Sequence, residues 1–331
     1  MRDHSLIGPW VRRFLLEYLV TDRNLARNTQ ASYRDTLVLF LPYLSRACGK
    51  PVDRLTIDDL SPSMLRSFLE YVEEKRGCSC TTRNLRLSAI HSLAKYIGMH
   101  SPEHLAWYST IRAVPFKKTA KSTLNYLDKP EIDVLLRIPD ICTPLGVRDY
   151  ALLLFLYNTG ARVDEAAHLT VGDIAWGSTP AIRLRGKGNK LRWCPIWDRT
   201  ANVLKPLVHG RSAEDFVFLN RLGRPLTRFG IYGLVRRAVV QASETLPSLT
   251  QKPIGPHCIR HSCAVHMLRS GIDINTIRAW LGHVSLDTTH IYAEVDLQMK
   301  AKALAHCDLP EDVASKPWHA DEGLIAFLKA L

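Results

Sequence analysis

Apolar residues recur at helical spacing from the start of the chain. Trp10, Phe14 and Tyr18, within residues 8–20, fall one turn apart and so share a helix face. A second helix is expected through Tyr33, Leu37, Phe40, Leu41 and Leu44, capped by Asn28 or Thr29, with Pro42 placed to kink it. Residues 56–60 (TIDDL) read as a short capped turn. Residues 61–76 predict a strong helix with Ser61 as N-cap and Pro62 at its first position. Residues 80–97 predict a fourth, ended by Gly98. Residues 109–125 then hold no long periodic element.

Periodicity resumes near Leu127. A helix is expected from Pro130 to about Arg137, and a buried one over residues 146–158, broken at Thr159–Gly160. Another starts over residues 162–168. Residues 181–185 (AIRLR) and 191–196 (LRWCPI) alternate as two strands around a glycine-flanked turn, residues 186–190. Helices dominate thereafter, including residues 256–269 and a short one before Gly282. The overall class is mainly α with a small antiparallel β-sheet. There is no internal repeat.

Charge adds a partner. The chain has 331 residues and a formal net charge of +12, from 44 basic and 32 acidic side chains. A protein this basic is expected to meet a polyanion. Residues 1–125 carry 19 basic and 11 acidic residues, a net of +8, whereas residues 293–331 carry 4 and 7, a net of −3. DNA contact is therefore expected chiefly from the first part. Arg83 and Arg86 on the fourth helix are candidate phosphate contacts, as are Arg112, Lys117, Lys118 and Lys121 in the basic stretch after it. A solvated helix face and an ordinary polar linker are the plain alternatives. Eight scattered cysteines form no paired metal-ligand motif, and no run of 18 apolar residues occurs. A cytoplasmic protein with reduced thiols and no membrane association is expected.

Four stretches carry the chemistry. Arg162 follows a helix break, with Glu165 one turn on; it can clamp an anion or simply pair with Glu165. Lys187 sits between Gly186 and Gly188 in the hairpin turn, where most lysines are merely solvated. His257 and Arg260 lie three apart on one helix, with His261 beside them as a candidate core histidine. His283 and Tyr292 lie nine apart across a polar turn. Alone, a tyrosine is usually packing. Beside two arginines, a lysine and histidines it can be a nucleophile toward a phosphodiester. Guanidinium forks at Arg162 and Arg260 would neutralise charge on the phosphoryl oxygens. His257 or His283 can take the phenolic proton or hold a nonbridging oxygen, and Lys187 can protonate the leaving 5′ oxygen. The cations are side chains, so neither a metal nor a cofactor is expected.

The stretches TGARVDEAAHL (159–169), RGKGNKLRWCPI (185–196), PHCIRHSCAVHML (256–268) and LGHVSLDTTHIYAEV (281–295) resemble the tyrosine recombinase (phage integrase-like) family. The resemblance extends to the compact dimer-resolution, integron and transposon-encoded members. The resemblance implies that Arg162, Lys187, His257, Arg260, His283 and Tyr292 are catalytic, supported by Glu165. It implies a SAM-like helical core-binding domain over residues 1–108, a basic linker over 109–124, a catalytic domain over 125–296, and a tail over 297–331 whose last helix docks on a neighbouring subunit, the plain alternative being that it packs on its own domain. It further implies a homo-tetramer on two sites of double-stranded DNA, with a related recombinase or accessory factor as a further partner, exchanging strands through a Holliday junction. A type IB topoisomerase shares the chemistry, and a non-catalytic regulator could use the helix–turn–helix-like stretch at 264–282.

Overall fold

The structure, a computed structural model, describes residues 5–119 and 124–282. The expectations for Lys121, His283, Tyr292 and the tail lie outside the described residues, as does the side chain of Lys187. The chain divides into two compact units, residues 1–122 and 123–331.

The first unit is helical throughout. Helix α1 (Ile7–Arg13) runs on in wider π-type turns through Phe14–Asp22. Trp10, Phe14 and Tyr18 are buried along it, against Tyr96. Helix α2 (Arg27–Cys48) begins after Ala26 with no side-chain cap, so neither Asn28 nor Thr29 caps it. It passes through Pro42 unbroken and ends at the left-handed Gly49. In the predicted turn, the Thr56 N–H donates to Asp59 Oδ2 at 2.8 Å. Helix α3 (Pro62–Glu74) starts as expected, the Ser61 hydroxyl accepting from the Met64 N–H at 3.2 Å. It buries Leu65, Phe68, Leu69 and Val72. Phe68 meets Phe40 edge-on at 4.8 Å, and truncating such a residue costs about 3–5 kcal/mol.

Helix α4 (Cys80–His100) does not stop at Gly98. That glycine instead admits a neighbour: a Cβ there would lie 2.9 Å from Tyr108 Cβ, on helix α5 (Leu105–Arg112). Ile111 and Val114 complete the core of this unit. The expected linker stretch therefore opens inside a packed helix. Its apolar positions are too few to show a period in the sequence.

The second unit surrounds helix α7 (Pro144–Thr159), buried on all sides from Ala151 to Thr159. An all-round apolar segment of this length marks a central helix. Helix α6 (Lys129–Arg137) starts with the Asp128 N–H donating to Glu131 Oε2 at 2.8 Å. Strands β1 (Ile174–Ala175), β2 (Ala181–Arg185) and β3 (Leu191–Pro195) form an antiparallel sheet in that order. Ile182 pairs with Cys194, and Leu184 with Arg192, so these four share the sheet face turned to the core. Helices α9 (Asp198–Val208), α10 (Arg228–Thr245), α11 (Pro256–Arg269) and α12 (Ile274–Leu281) complete the described unit. The expected fold class, mainly α with a small antiparallel sheet, is what is found.

Candidate active site

Helix α7 ends at Gly160 with φ +58°, a left-handed turn that glycine adopts without strain. The turn delivers Arg162 to the start of helix α8 (Val163–Ala167). Glu165 on α8 reaches back: its Oε2 accepts the Arg162 backbone N–H at 2.8 Å, and its Oε1 accepts Arg162 Nη1 at 2.9 Å. The simple pairing of Arg162 with Glu165 is therefore present. It does not use up the guanidinium, which has five N–H groups.

Glu165 has a second partner that the motif reading missed. Arg192 Nη1 and Nη2 donate to Glu165 Oε1 and Oε2 at 2.9 and 2.7 Å, a two-point fork. Both side chains are enclosed, 10% exposed for Arg192 and 3% for Glu165. Burial pushes the Glu165 carboxyl up, but the Arg192 fork, with Arg162, holds it below the usual carboxylate range. A signal was available in the sequence. Strand alternation puts Arg192 on the same face as Cys194, an unusual place for a charge without a buried partner.

Arg260 lies on α11 and is 3% exposed. Its Nη1 donates to the Gly160 carbonyl at 2.5 Å and its Nη2 to the Leu281 carbonyl at 2.7 Å. Arg192 Nε donates to the Trp280 carbonyl at 2.8 Å, and Arg162 Nη2 to the Gly282 carbonyl at 3.4 Å. Three arginines from three elements thus meet three consecutive carbonyls at the carboxyl end of α12. The last carbonyls of a helix lack intrahelical partners and carry partial negative charge, so cations belong there. The backbone immediately before His283 is held by this arrangement.

His257 is one turn ahead of Arg260 on α11. Although exposed as a residue, its ring loses enough water to lower its pKa, and Arg260 and Arg162 lower it further. His261 is half-buried; burial, then His257 and Arg260, push it down to about 4. Both imidazoles are therefore neutral near pH 7. Arg162, Glu165, His257 and Arg260 come together, and Lys187 lies in the adjoining hairpin, where the Gly186 N–H donates to the Lys190 carbonyl at 2.8 Å. A Cβ on Gly186 would lie 3.3 Å from Glu165 Oε1, so the hairpin approaches closely because it begins with glycine.

The basic residues of the first unit divide in two. Arg83 is buried, donating to Asn84 Oδ1 at 3.0 Å and to the Pro115 carbonyl at 3.1 Å. Its guanidinium braces the stretch after α5 from within and is not a surface group. Arg86 is half-buried, while Arg112, Lys117 and Lys118 are exposed. Lys117 is strapped to α4 by its backbone: its N–H donates to Asn84 Oδ1 at 3.1 Å, and Asn84 Nδ2 donates to its carbonyl at 2.7 Å. Among the described residues, no helix is long and apolar enough to cross a membrane.

Comparison with known proteins agrees with this geometry. Residues 125–299 match the phage integrase family, and residues 12–98 match the phage integrase N-terminal SAM-like domain. The chain is 35% identical over 333 residues to y4rC of Sinorhizobium fredii, named as an integrase/recombinase, covering 100% of both proteins. It is 30% identical over 296 residues to the tyrosine recombinase XerC of Bacillus subtilis, covering 87% of this chain and 92% of XerC. In fold it is similar to the XerH site-specific recombinase crystallised with palindromic difH after cleavage. That match has a TM-score of 0.67 at 24% identity, covering 86% of this chain and 81% of XerH. The Tn1549 transposon integrase in complex with circular intermediate DNA gives a TM-score of 0.67 at 18% identity, covering 92% and 99%. The chain belongs to the phage integrase family, and is a tyrosine-type site-specific recombinase.

Proposed function

We propose that this recombinase cleaves one DNA strand by attack of the Tyr292 oxygen on phosphorus, forming a 3′-phosphotyrosyl bond and releasing the 5′ oxygen. Arg162 and Arg260 hold the nonbridging oxygens, where charge accumulates in the transition state. The phenolic proton passes to an imidazole, His257 or His283, and Lys187 protonates the departing 5′ oxygen. A second strand's 5′ hydroxyl then reverses the attack, so the energy of the broken bond is kept in the ester and rejoining needs no cofactor. The observation that carries this reading is the convergence of Arg162 and Arg260, with Arg192, on the carbonyls of residues 280–282, beside His257. The lowered pKa of His257 supports a proton acceptor there.

The substrate is double-stranded DNA, held by the basic first unit through residues 1–108 and the stretch over 109–124, and cut by residues 125–296. Exposed Arg112, Lys117 and Lys118, with Lys121 and half-buried Arg86, contact phosphates, while Arg83 braces the backbone at Pro115 from within. The enzyme acts at the nucleoid in the cytoplasm as a homo-tetramer on two sites, through a Holliday junction, with a related recombinase or accessory factor where the sites require one. The tail, residues 297–331, docks on a neighbouring copy. In support, Leu324, Ile325, Phe327, Leu328 and Leu331 cluster in its sequence. A cavity of about 330 Å³ lined by Tyr157, Trp197, Met267, Ile272 and Trp280 offers an aromatic seat.

The test is incubation with nicked total DNA of the source organism, without metal or ATP, followed by sequencing of DNA left covalently attached. Attachment at one recurring sequence is expected. Attachment at scattered sequences would favour topoisomerase-like relaxation instead.

A further inference from the structure

Glu165 accepts hydrogen bonds from two arginines, Arg162 and Arg192. Arg192 holds both carboxylate oxygens; Arg162 reaches Oε1 through its side chain and Oε2 through its backbone. The side chain of Arg162 is 30% exposed, against 10% for Arg192. Arg192 is thus the inner partner and Arg162 the outer one.

We propose that Arg192 is a positioning residue of strand cleavage: by taking up the Glu165 carboxylate through both oxygens, it leaves the charge of Arg162 available to the scissile phosphate. The two guanidinium groups and one carboxylate carry a net charge of +1. Without Arg192 the group is neutral, and a buried carboxylate draws its remaining cation fully to itself. Arg162 would then meet the phosphate as half of an ion pair.

The surroundings are shaped for this fork. Arg192 stands at a core-facing register position opposite Leu184. Its Nε is fixed by the Trp280 carbonyl at 2.8 Å. Glycine lies on two sides: a Cβ on Gly282 would come within 3.2 Å of Arg192 Cδ and Nη1, and one on Gly186 within 3.5 Å of Nη1. Only a planar fork makes the two-point contact and the Nε bond together, so lysine is not equivalent. The same side chain ties the hairpin of Lys187, the helix of Glu165 and the end of α12 into one body.

The inference rests on the assignment of Arg162 to the phosphate, and the experiment separates the two. Covalent adduct formation is timed on the genomic segment that the wild-type enzyme traps most often. The variants are Arg162→Ala, Arg192→Met, Arg192→Lys, Glu165→Met and the pair Arg192→Met with Glu165→Met, each with DNA affinity and melting temperature measured in parallel. Arg192→Met is expected to slow cleavage on the order of 10²-fold, the effect of losing one transition-state partner, with DNA affinity kept. The double variant again carries the single charge of Arg162, and apolar side chains often replace a buried ion pair without loss of folding. It is expected to cleave about tenfold or more faster than Arg192→Met, and Arg192→Lys to fall between Arg192→Met and wild type. A merely structural Arg192 predicts no such rescue. A folded double variant as slow as folded Arg192→Met overturns the proposal. Should Arg192→Met fail to fold, the double variant decides alone. A rate within about tenfold of wild type supports the charge argument, and a larger loss overturns it. Wild-type cleavage by Arg162→Ala would instead remove the assignment on which the inference rests.

Discussion

Gly160→Ala strikes the fold and the site through one methyl group. Gly160 closes α7 with φ +58°, donates its N–H to the Leu156 carbonyl at 3.0 Å, and offers its own carbonyl to Arg260. An L residue in that conformation costs roughly 1–2 kcal/mol. The added Cβ would lie 2.5 Å from Leu281 Cδ2 and 3.4 Å from Cys263 Sγ. Leu281 is fully buried, so its methyl yields only by turning into packed core, an overpacking cost of about 1–3 kcal/mol. The sum is about 2–5 kcal/mol from the stability of the second unit. Gly210→Ala isolates the conformational part. Its φ is +72° and a Cβ there meets nothing within 4 Å, so roughly 1–2 kcal/mol is expected. Hydrogen exchange in urea reads the two units separately and gives both values. Because the moved carbonyl holds Arg260, Gly160→Ala also slows cleavage, while Gly210→Ala does not. Equal destabilisation by the two variants, or a Gly160→Ala enzyme within about 0.5 kcal/mol of wild type, would refute the packing argument.

Other expectations concern the reaction and the assembly. Lys187→Ala slows cleavage, and a substrate with a 5′-bridging sulfur, a better leaving group, restores the rate; no restoration would remove the lysine as general acid. Deleting residues 320–331 lowers the tetramer population seen by sedimentation but spares binding to a single site; an unchanged tetramer would refute docking by the tail. The stability of the second unit falls with acid in two stages. His257, His261 and His266 have pKa values lowered from 6.5, mainly by burial, with His261 near 4. The unfolded chain therefore binds more protons, and this contribution is lost as pH falls from about 6.5 toward 4. The lowered carboxyls of Glu131 and Glu165 add their loss as pH falls from the ordinary carboxylate range downward. Urea midpoints that stay level between pH 7 and pH 5 would contradict the first stage.

The motifs of the site were legible because each carries its own local signal. A left-handed glycine ends α7 before Arg162, two glycines bracket Lys187, and three-residue spacing sets His257 and Arg260 on one helix. Helix interiors and the hairpin strands were equally readable from periodicity. Helix ends were less so. Gly98 looks like a stop, but its role is close packing on Tyr108, a contact that local pattern does not encode. Asn28 and Thr29 look like caps, yet the helix already runs from Arg27. Arg83 shows the same limit: its place on a basic helix suggested phosphate contact, but the Pro115 carbonyl, 32 residues away, draws it inward. Arg192 was hidden because its partners, Glu165 and Trp280, are remote in sequence. Only the alternation of β3 pointed to its burial.

Peptide mapping of the trapped protein–DNA complex shows whether Tyr292 is the nucleophile. The enzyme is incubated with nicked DNA in the absence of metal and ATP, the complex is denatured and digested, and the nucleotide-bearing peptide is sequenced by mass spectrometry. Wild type is predicted to carry the 3′ phosphate on Tyr292, and Tyr292→Phe to bind the same DNA without any attachment. A phosphate on another residue, or an adduct that persists in Tyr292→Phe, would rule out Tyr292 as the nucleophile.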